Sequence, residues 1–385
     1  MQLRDHVETA IRRWHAFEEN QGADPVIDYD CAPPDKPVDP YPDRFTALDQ
    51  LVELRNHAND GTAIAAQLDA HTAYLRALLG EQTSLGDYIQ RTQRCRARGW
   101  SADYVSHRGD VARSVLASLD IAWDADTGRR LRKLEEGSSP TVEPSAAIRE
   151  FAEKFEPTVR KLAGATTEFN LLIETVRLDA YWSYWLDGAG RDARLRINLA
   201  NTSFTLNDAY RFALHEILGH ALQYASIADY AESHEVDWPR LLSIHCPHQV
   251  LFEGLGQVLP LIADPNSGLV CARVRLDHYF QLVRAELHLL INNGESATAC
   301  RDHALRRVPF WTETIIARDL FDRSVNPQLR TYLWAYPAGI DWFVNLYEAG
   351  GPLTGEVLKE AYKRPLDPSE LHALWPAGPV IGGDQ

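Results

Sequence analysis

The chain has 385 residues, of which 45% are hydrophobic and 24% charged, the composition of an ordinary globular protein with room for one large domain or two modest ones. Its net charge of −15 at pH 7 comes with no balancing basic stripe, which argues against a nucleic-acid partner. Residues 1–20 carry Arg4, Asp5, Glu8, Arg12, Arg13, Glu18 and Glu19, and no run of about 18 apolar residues occurs, so neither a secretory signal nor a membrane span is expected.

Helical spacing of apolar residues predicts helices over 1–20 and 45–80. Between them, residues 31–43 hold five prolines and must form an irregular loop. Residues 84–120 read as two more helices, and the Gly-Ser-Ser-Pro segment at 137–140 as a boundary. Residues 144–186 read as two long helices, the second ending in Tyr181, Trp182, Tyr184 and Trp185, a cluster best explained as core packing. Residues 194–199 alternate polar and apolar and predict one strand, introduced by Gly188 and Gly190 and followed by Asn201. Helices resume until Trp375. The expected architecture is mainly α with a small β element. It forms one catalytic domain over 1–385, with a subdivision open between 1–140 and 141–385. The cysteines (Cys31, Cys95, Cys246, Cys271, Cys300) are scattered, odd in number and without a CxxC pair, which fits a reducing cytoplasm.

Chemistry concentrates in residues 205–223. Thr205 with Asp208 is a helix start, and Phe212, Leu214, Ile217, Leu218 and Leu222 make the helix apolar enough to be buried. It carries His215, Glu216 and His220, which must be satisfied if buried, and a metal would do so. The familiar zinc motif places two histidines four apart on one helical face. Here they are five apart, which on an ideal helix separates them by about 140°. A π-bulge within residues 217–220 would bring them together, and Gly219 tolerates the distortion. The bland alternative is two ordinary buried histidines. Against it stands a second segment, residues 247–257, where Pro247 suits a first helical turn and Glu253 follows His220 by 33 residues. A catalytic zinc takes three protein ligands and leaves a position open, and Glu253 supplies the third. Gly254 and Gly256 allow a close helix approach, and Gln257 could orient a ligand. His245 and His248 are alternative ligands, but Pro247 between them argues against a helical pair. Ser226 occupies the position where a third histidine would be needed for a metzincin.

The HEILGH sequence at 215–220 resembles the HExxGH motif of the dipeptidyl peptidase III family. The wider layout resembles a bacterial domain-of-unknown-function family with HExxPGH and EGWA signatures, related to the carboxypeptidase Taq metallopeptidases. The similar stretches are 215–223, 252–257 and 319–343, with a looser likeness at 74–92. The chain lacks the proline of the first signature and has Glu-Gly-Leu-Gly in place of the second. The resemblance implies a helical, thermolysin-like zincin of the gluzincin type, with Zn2+ held by His215, His220 and Glu253 and Glu216 as general base. It also implies that residues 323–339 bring a tyrosine to the metal. Tyr336 aligns with it, and Tyr332 is the alternative donor or a substrate contact; an interior aromatic is the plainer role for either.

Arg323 and Arg330 are candidates to hold a substrate carboxylate, with ordinary salt bridges as the alternative. Strand 194–199 is a candidate edge for an extended substrate. The expected function is zinc-dependent hydrolysis of a peptide or amide bond. The alternatives are a zinc enzyme running a lyase or amidohydrolase step on a small metabolite, and a binding protein that kept the fold without activity.

Overall fold

A computed structural model describes residues 2–137, 143–178, 183–200 and 204–384. Helix α1 (Leu3–Asn20) buries Val7, Ala10, Ile11 and Trp14, the three- and four-residue spacing of one helical face. The short strand β1 (Tyr29–Asp30) follows, immediately before the proline-rich loop. The helix expected over 45–80 is two helices, α2 (Arg44–His57) and α3 (Ala63–Leu78). Asp43 and Thr62 cap them by accepting the N–H groups of Thr46 and Ala65. These three helices enclose a core of their own, with Val7, Ile11, Trp14, Leu51, Leu68 and Leu75 at its centre.

Helices α4 (Leu85–Thr92), α5 (Ala102–Ala117), α6 (Thr127–Glu136) and α7 (Pro144–Ala163) belong to the main core. The packing therefore divides after α3, whereas the sequence placed a division near 140. Gly137 ends α6, and the rest of the Gly-Ser-Ser-Pro segment lies outside the described residues.

The second long helix expected within 144–186 is not there. Gly164, in the left-handed region at φ 67°, ends α7. Strands β2 (Asn170–Val176) and β3 (Tyr184–Ala189) follow. The expected strand is present as β4 (Asp192–Asn198), and its pairing on both sides explains the error: β2 joins it in parallel and β3 antiparallel. Such partners are invisible to a local reading of residues 144–186. Tyr184 and Trp185 stand on β3, while Tyr181, Trp182 and Asn201 lie outside the described residues. The sheet runs β2-β4-β3-β1-β5, where β5 is Leu241–Leu242. The segment before the proline-rich loop is thereby stitched into the sheet, and the buried Tyr29 donates its hydroxyl hydrogen bond to the Gly190 carbonyl at 2.9 Å.

One continuous helical rod then follows. It begins as α8 (Leu206–Phe212), widens into a π segment (Ala213–Ala221) and returns to α geometry as α9 (Leu222–Ser233). After β5 the chain is helical again: α10 (Gln249–Ala263), α11 (Gly268–Asn292), α12 (Ala297–Arg307), α13 (Glu313–Ser324), α14 (Pro327–Ala349), α15 (Leu353–Ala361) and α16 (Pro368–Leu374). The fold is mainly α with a small sheet before the motif helix. No helix among the described residues is long and apolar enough to cross a membrane.

Helices α10 and α14 cross with their backbones in contact. A Cβ on Gly254 would lie 2.5 Å from the Gly339 carbonyl carbon, and one on Gly339 would lie 2.1 Å from the Val250 carbonyl oxygen. Neither neighbour is a side chain that could move aside. Gly254→Ala is therefore expected to destabilise by about 1–3 kcal/mol through overpacking. Gly355→Ala, in α15 with nothing within 4 Å of its Cβ position, is expected to stabilise by about 0.5–1 kcal/mol. Melting temperatures should shift in opposite directions; equal shifts would refute the contact argument.

Candidate metal centre

The capping box of Thr205 and Asp208 starts the rod that carries the motif. Within the π segment the hydrogen-bond ring widens by one residue, as in the bond from the Leu222 N–H to the Ile217 carbonyl. That widening brings residues five apart onto one face. The Nε2 atoms of His215 and His220 are 3.1 Å apart. The distortion expected over 217–220 occupies the whole of Ala213–Ala221. Tyr362 supports it from α15's C-terminal end by donating to the Leu218 carbonyl at 2.6 Å. His220 Nδ1 donates to the Gly219 carbonyl at 3.1 Å, which leaves Nε2 with its lone pair free.

Helix α10 presses against this segment through glycine. A Cβ on Gly219 would be 3.1 Å from the Gly256 Cα. A Cβ on Gly256 would be 3.0 Å from His215 Nδ1 and 3.2 Å from His220 Cε1. The bare backbone of Gly256 is the floor on which both imidazoles rest. Glu253 rises beside it, with Oε2 3.5 Å from His215 Nε2 and Oε1 3.8 Å from His220 Nε2. From α14, the Tyr332 hydroxyl donates to Glu253 Oε1 at 2.5 Å. With that proton committed, Tyr332 accepts from Tyr336 at 2.8 Å.

Glu216 Oε1 is 3.6 Å from His215 Nε2, and the donor atoms of His215, Glu216 and His220 lie within 4.8 Å of one another. Distance alone does not rank the two glutamates; their surroundings do. Burial pushes the Glu216 carboxyl up to about 7, with Glu253 adding and His215 opposing. Burial also works against the Glu253 charge, but His215, His220 and Tyr332 outweigh it and hold its pKa below the ordinary value. Burial pushes His220 down to about 4. Burial acts the same way on His215, but Glu216 and Glu253 outweigh it and raise its pKa. The neighbours of Glu253 favour its charged form, and burial favours the protonated form of Glu216.

Fit to a metal can be tested on unpaired atoms. Glu253 Oε2 is buried and has no hydrogen-bond partner. Asp341, on the same helix pair, shows what a purely structural carboxylate looks like here: it accepts from Trp100 Nε1, Tyr104 OH and His278 Nε2, using both oxygens. A divalent cation between the imidazoles and Glu253 would satisfy the orphaned oxygen, and two nitrogens with a carboxylate are a zinc donor set.

The site opens on two cavities. One, of about 260 Å3, is lined by both histidines, both glutamates, Tyr332 and Tyr336, among others. A second, of about 230 Å3, shares Tyr184, His215 and Glu216 with it and adds Arg211, Gln257 and Asp277. Along the first, Tyr184, Trp185 and Leu186 of β3 form a wall. Because β1 pairs with β3 only at Gly188 and Ala189, β3 from Tyr184 to Asp187 has no strand partner on that side among the described residues. The strand expected to offer an edge, 194–199, cannot do so, since β4 is paired on both sides.

Arg323 and Arg330 also fall outside the cavity lining. Arg323 is buried and donates to the Asp319 carboxylate at 2.9 Å. Arg330 donates to Asn292 Oδ1 at 2.8 Å and the Thr83 carbonyl at 3.0 Å, its guanidinium over the Tyr88 ring. Both point into the α4, α11 and α13 packing; Arg318 lines the first cavity, and Arg211 and Arg273 line the second. His245 pairs with His71 at 2.8 Å, and His248 accepts the Ser243 N–H at 3.1 Å, both away from the site. Sequence reasoning missed Asp28, Tyr184 and Tyr224 as lining residues. Tyr224, one turn after His220 and stacked on it at 5.5 Å, was within reach of a helical-face argument.

The sequence matches no protein-family model and no curated protein. Among solved structures, the chain is similar to one described as "the putative lipoprotein from Colwellia psychrerythraea", with 14% identity and a TM-score of 0.53. The match covers 86% of this chain and 57% of that one, so this chain spans little more than half of that neighbour's length. At that identity the likeness is one of fold. Fold and site together define a mainly helical protein in which His215, Glu216 and His220 of a π-widened helix meet Glu253 of α10 in one buried cluster.

Gly256→Ala is expected to push both imidazoles off the α10 backbone and to weaken the affinity for any divalent cation added to the site about 10-fold, the scale of a disturbed ligand support. Competition with a chelator would measure this. Unchanged affinity would mean that the glycine floor does not position the rings.

Proposed function

We propose that this chain is a zinc-dependent hydrolase of the gluzincin type, cleaving a peptide or amide bond, with His215, His220 and Glu253 as ligands and Glu216 as general base. The observation that carries this reading is the buried Glu253 carboxylate, one oxygen without a hydrogen bond and 3.5 Å from His215 Nε2, beside two imidazole Nε2 atoms 3.1 Å apart. Zinc held by this set supplies Lewis acidity, lowering the pKa of water to about 7 and polarising a carbonyl. The remaining work falls to the chain's own groups. Glu216, brought near neutrality by burial, takes a proton from the attacking water and returns it to the leaving amine. Tyr336 turns its hydroxyl from Tyr332 to the oxyanion that develops on the carbonyl. Tyr332 keeps Glu253 oriented.

The unpaired edge of β3 along the cavity favours an extended substrate, since a strand edge offers backbone donors and acceptors in a row. This supports a peptide over a compact metabolite. The cysteines are all free, which is in keeping with a reducing compartment such as the cytoplasm.

Elemental analysis is expected to find about one zinc per chain. Glu216→Gln should retain that zinc and lose turnover by about 10²–10⁴-fold, the usual loss on removing a general base. Glu253→Gln should lose zinc instead. Equal zinc loss in the two variants, or full activity in Glu216→Gln, would overturn the assignment of roles. Tyr336→Phe should keep zinc and lower kcat by about 10²–10³-fold, as for a lost oxyanion donor. A change confined to KM would place Tyr336 in binding alone.

A further inference from the structure

Asp28 is used by no step above, and the packing does not account for it. It immediately precedes β1 and is held by its backbone: its N–H donates to the Leu242 carbonyl at 2.9 Å, and its carbonyl accepts the Gly188 N–H at 3.3 Å. The residue is only 8% exposed. Its Oδ2 accepts the Ile244 N–H at 2.7 Å, while Oδ1 is buried with no partner. Asp28 lines the cavity that contains Glu253 and, together with Trp185, also lines a third cavity of about 730 Å3. It therefore stands where the metal-side cavity adjoins the next chamber along β3.

No cation faces it. Burial, reinforced by Asp187, Glu253 and Asp24, raises its pKa well above the carboxylate range. The nearby guanidiniums of Arg194 and Arg196 are engaged with Asp187, and Arg318 of the same cavity lies 3.6 Å from Asp322. A buried carboxyl among acids, with one oxygen unsatisfied, is costly unless a cationic donor arrives.

We propose that Asp28 is a specificity-determining residue that receives a cationic donor of the substrate, a primary ammonium or a guanidinium, so that the enzyme acts on positively charged peptides or amides. This rests on the hydrolase reading above. The cation has two possible sources, the substrate's N-terminal ammonium or a lysine or arginine side chain.

The test uses the full-length, zinc-loaded Glu216→Gln protein, so that binding is read without turnover. Four peptides of one length are titrated calorimetrically, with the N-terminus free or acetylated and one residue lysine or norleucine. A cationic peptide is expected to bind about 10–10²-fold more tightly than its neutral counterpart, the scale of a charge-assisted hydrogen bond. Adding Asp28→Asn should abolish that preference. The asparagine carbonyl keeps the Ile244 N–H bond and presents an amide where Oδ1 stood; Asp28→Ser is the second variant should the first fail to fold. Loss of the preference on acetylation assigns the ammonium, and loss on norleucine replacement assigns the side chain. Equal affinity for charged and neutral peptides, a preference that survives Asp28→Asn, or no binding of any peptide overturns the proposal. Absence of hydrolysis by the unmodified protein would sink the hydrolase reading separately.

Discussion

Helix α10 is held on two sides by contacts that exclude a Cβ, and the arrangement of the site depends on them. Gly254 meets Gly339 of α14, and Gly256 meets Gly219 and the two imidazoles of the π segment. Residues two apart on an α-helix point about 200° from each other, so the two contacts lie on opposite faces. Glu253 emerges between them. Because backbones rather than flexible side chains define both spacings, the carboxylate is set against the histidines on one side and the tyrosines of α14 on the other. Any side chain at these glycines would widen a gap that the donor atoms need closed.

The π segment is the other half of that constraint. An α-helical His215–His220 pair would point apart, and each imidazole would then need its own buried partner. Widening the ring over Ala213–Ala221 turns that burden into a shared donor set. The cost of a poorer helix is offset by burial on every side: Leu214, Ile217, Leu218, Ala221 and Leu222 are essentially inaccessible. Electrostatics then separate two chemically identical side chains. Glu253 has two imidazoles and a phenol to favour its charge, while Glu216 has chiefly His215. Different neighbours favour the charged form of one and the protonated form of the other.

The sheet ties the N-terminal layer to this centre. Although α1–α3 have a separate core, β1 leaves them and inserts between β3 and β5. Asp28 and Tyr29 thereby enter the neighbourhood of residues more than 150 positions later. Tyr29 packs where a Cβ on Gly188 would lie 2.6 Å from its ring, and Asp28 joins the cavity wall. The cavity wall is a joint product of both layers, while the cluster of His215, Glu216, His220 and Glu253 belongs to the main core alone.

By itself, the sequence determined those features that depend on spacing within one element. The helix carrying His215, Glu216 and His220, the need for a distortion at five-residue spacing, the role of Gly219, Gly254 and Gly256 in close approach, and β4 all follow from periodicity and residue type over a few turns. Glu253 could be singled out because a second apolar helix with one buried acid leaves few alternatives. Only the tertiary structure decided what depends on partners far along the chain. Strands β2 and β3 take the place of an expected helix because β4 pairs with both, and pairing is a non-local interaction that local propensity does not encode. Arg323 and Arg330 turn inward because Asp319, Asn292 and Thr83 receive them. Asp28 comes from the segment between α1 and the proline-rich loop, which has no periodic signal, and its place in the cavity wall exists only once β1 has joined the sheet.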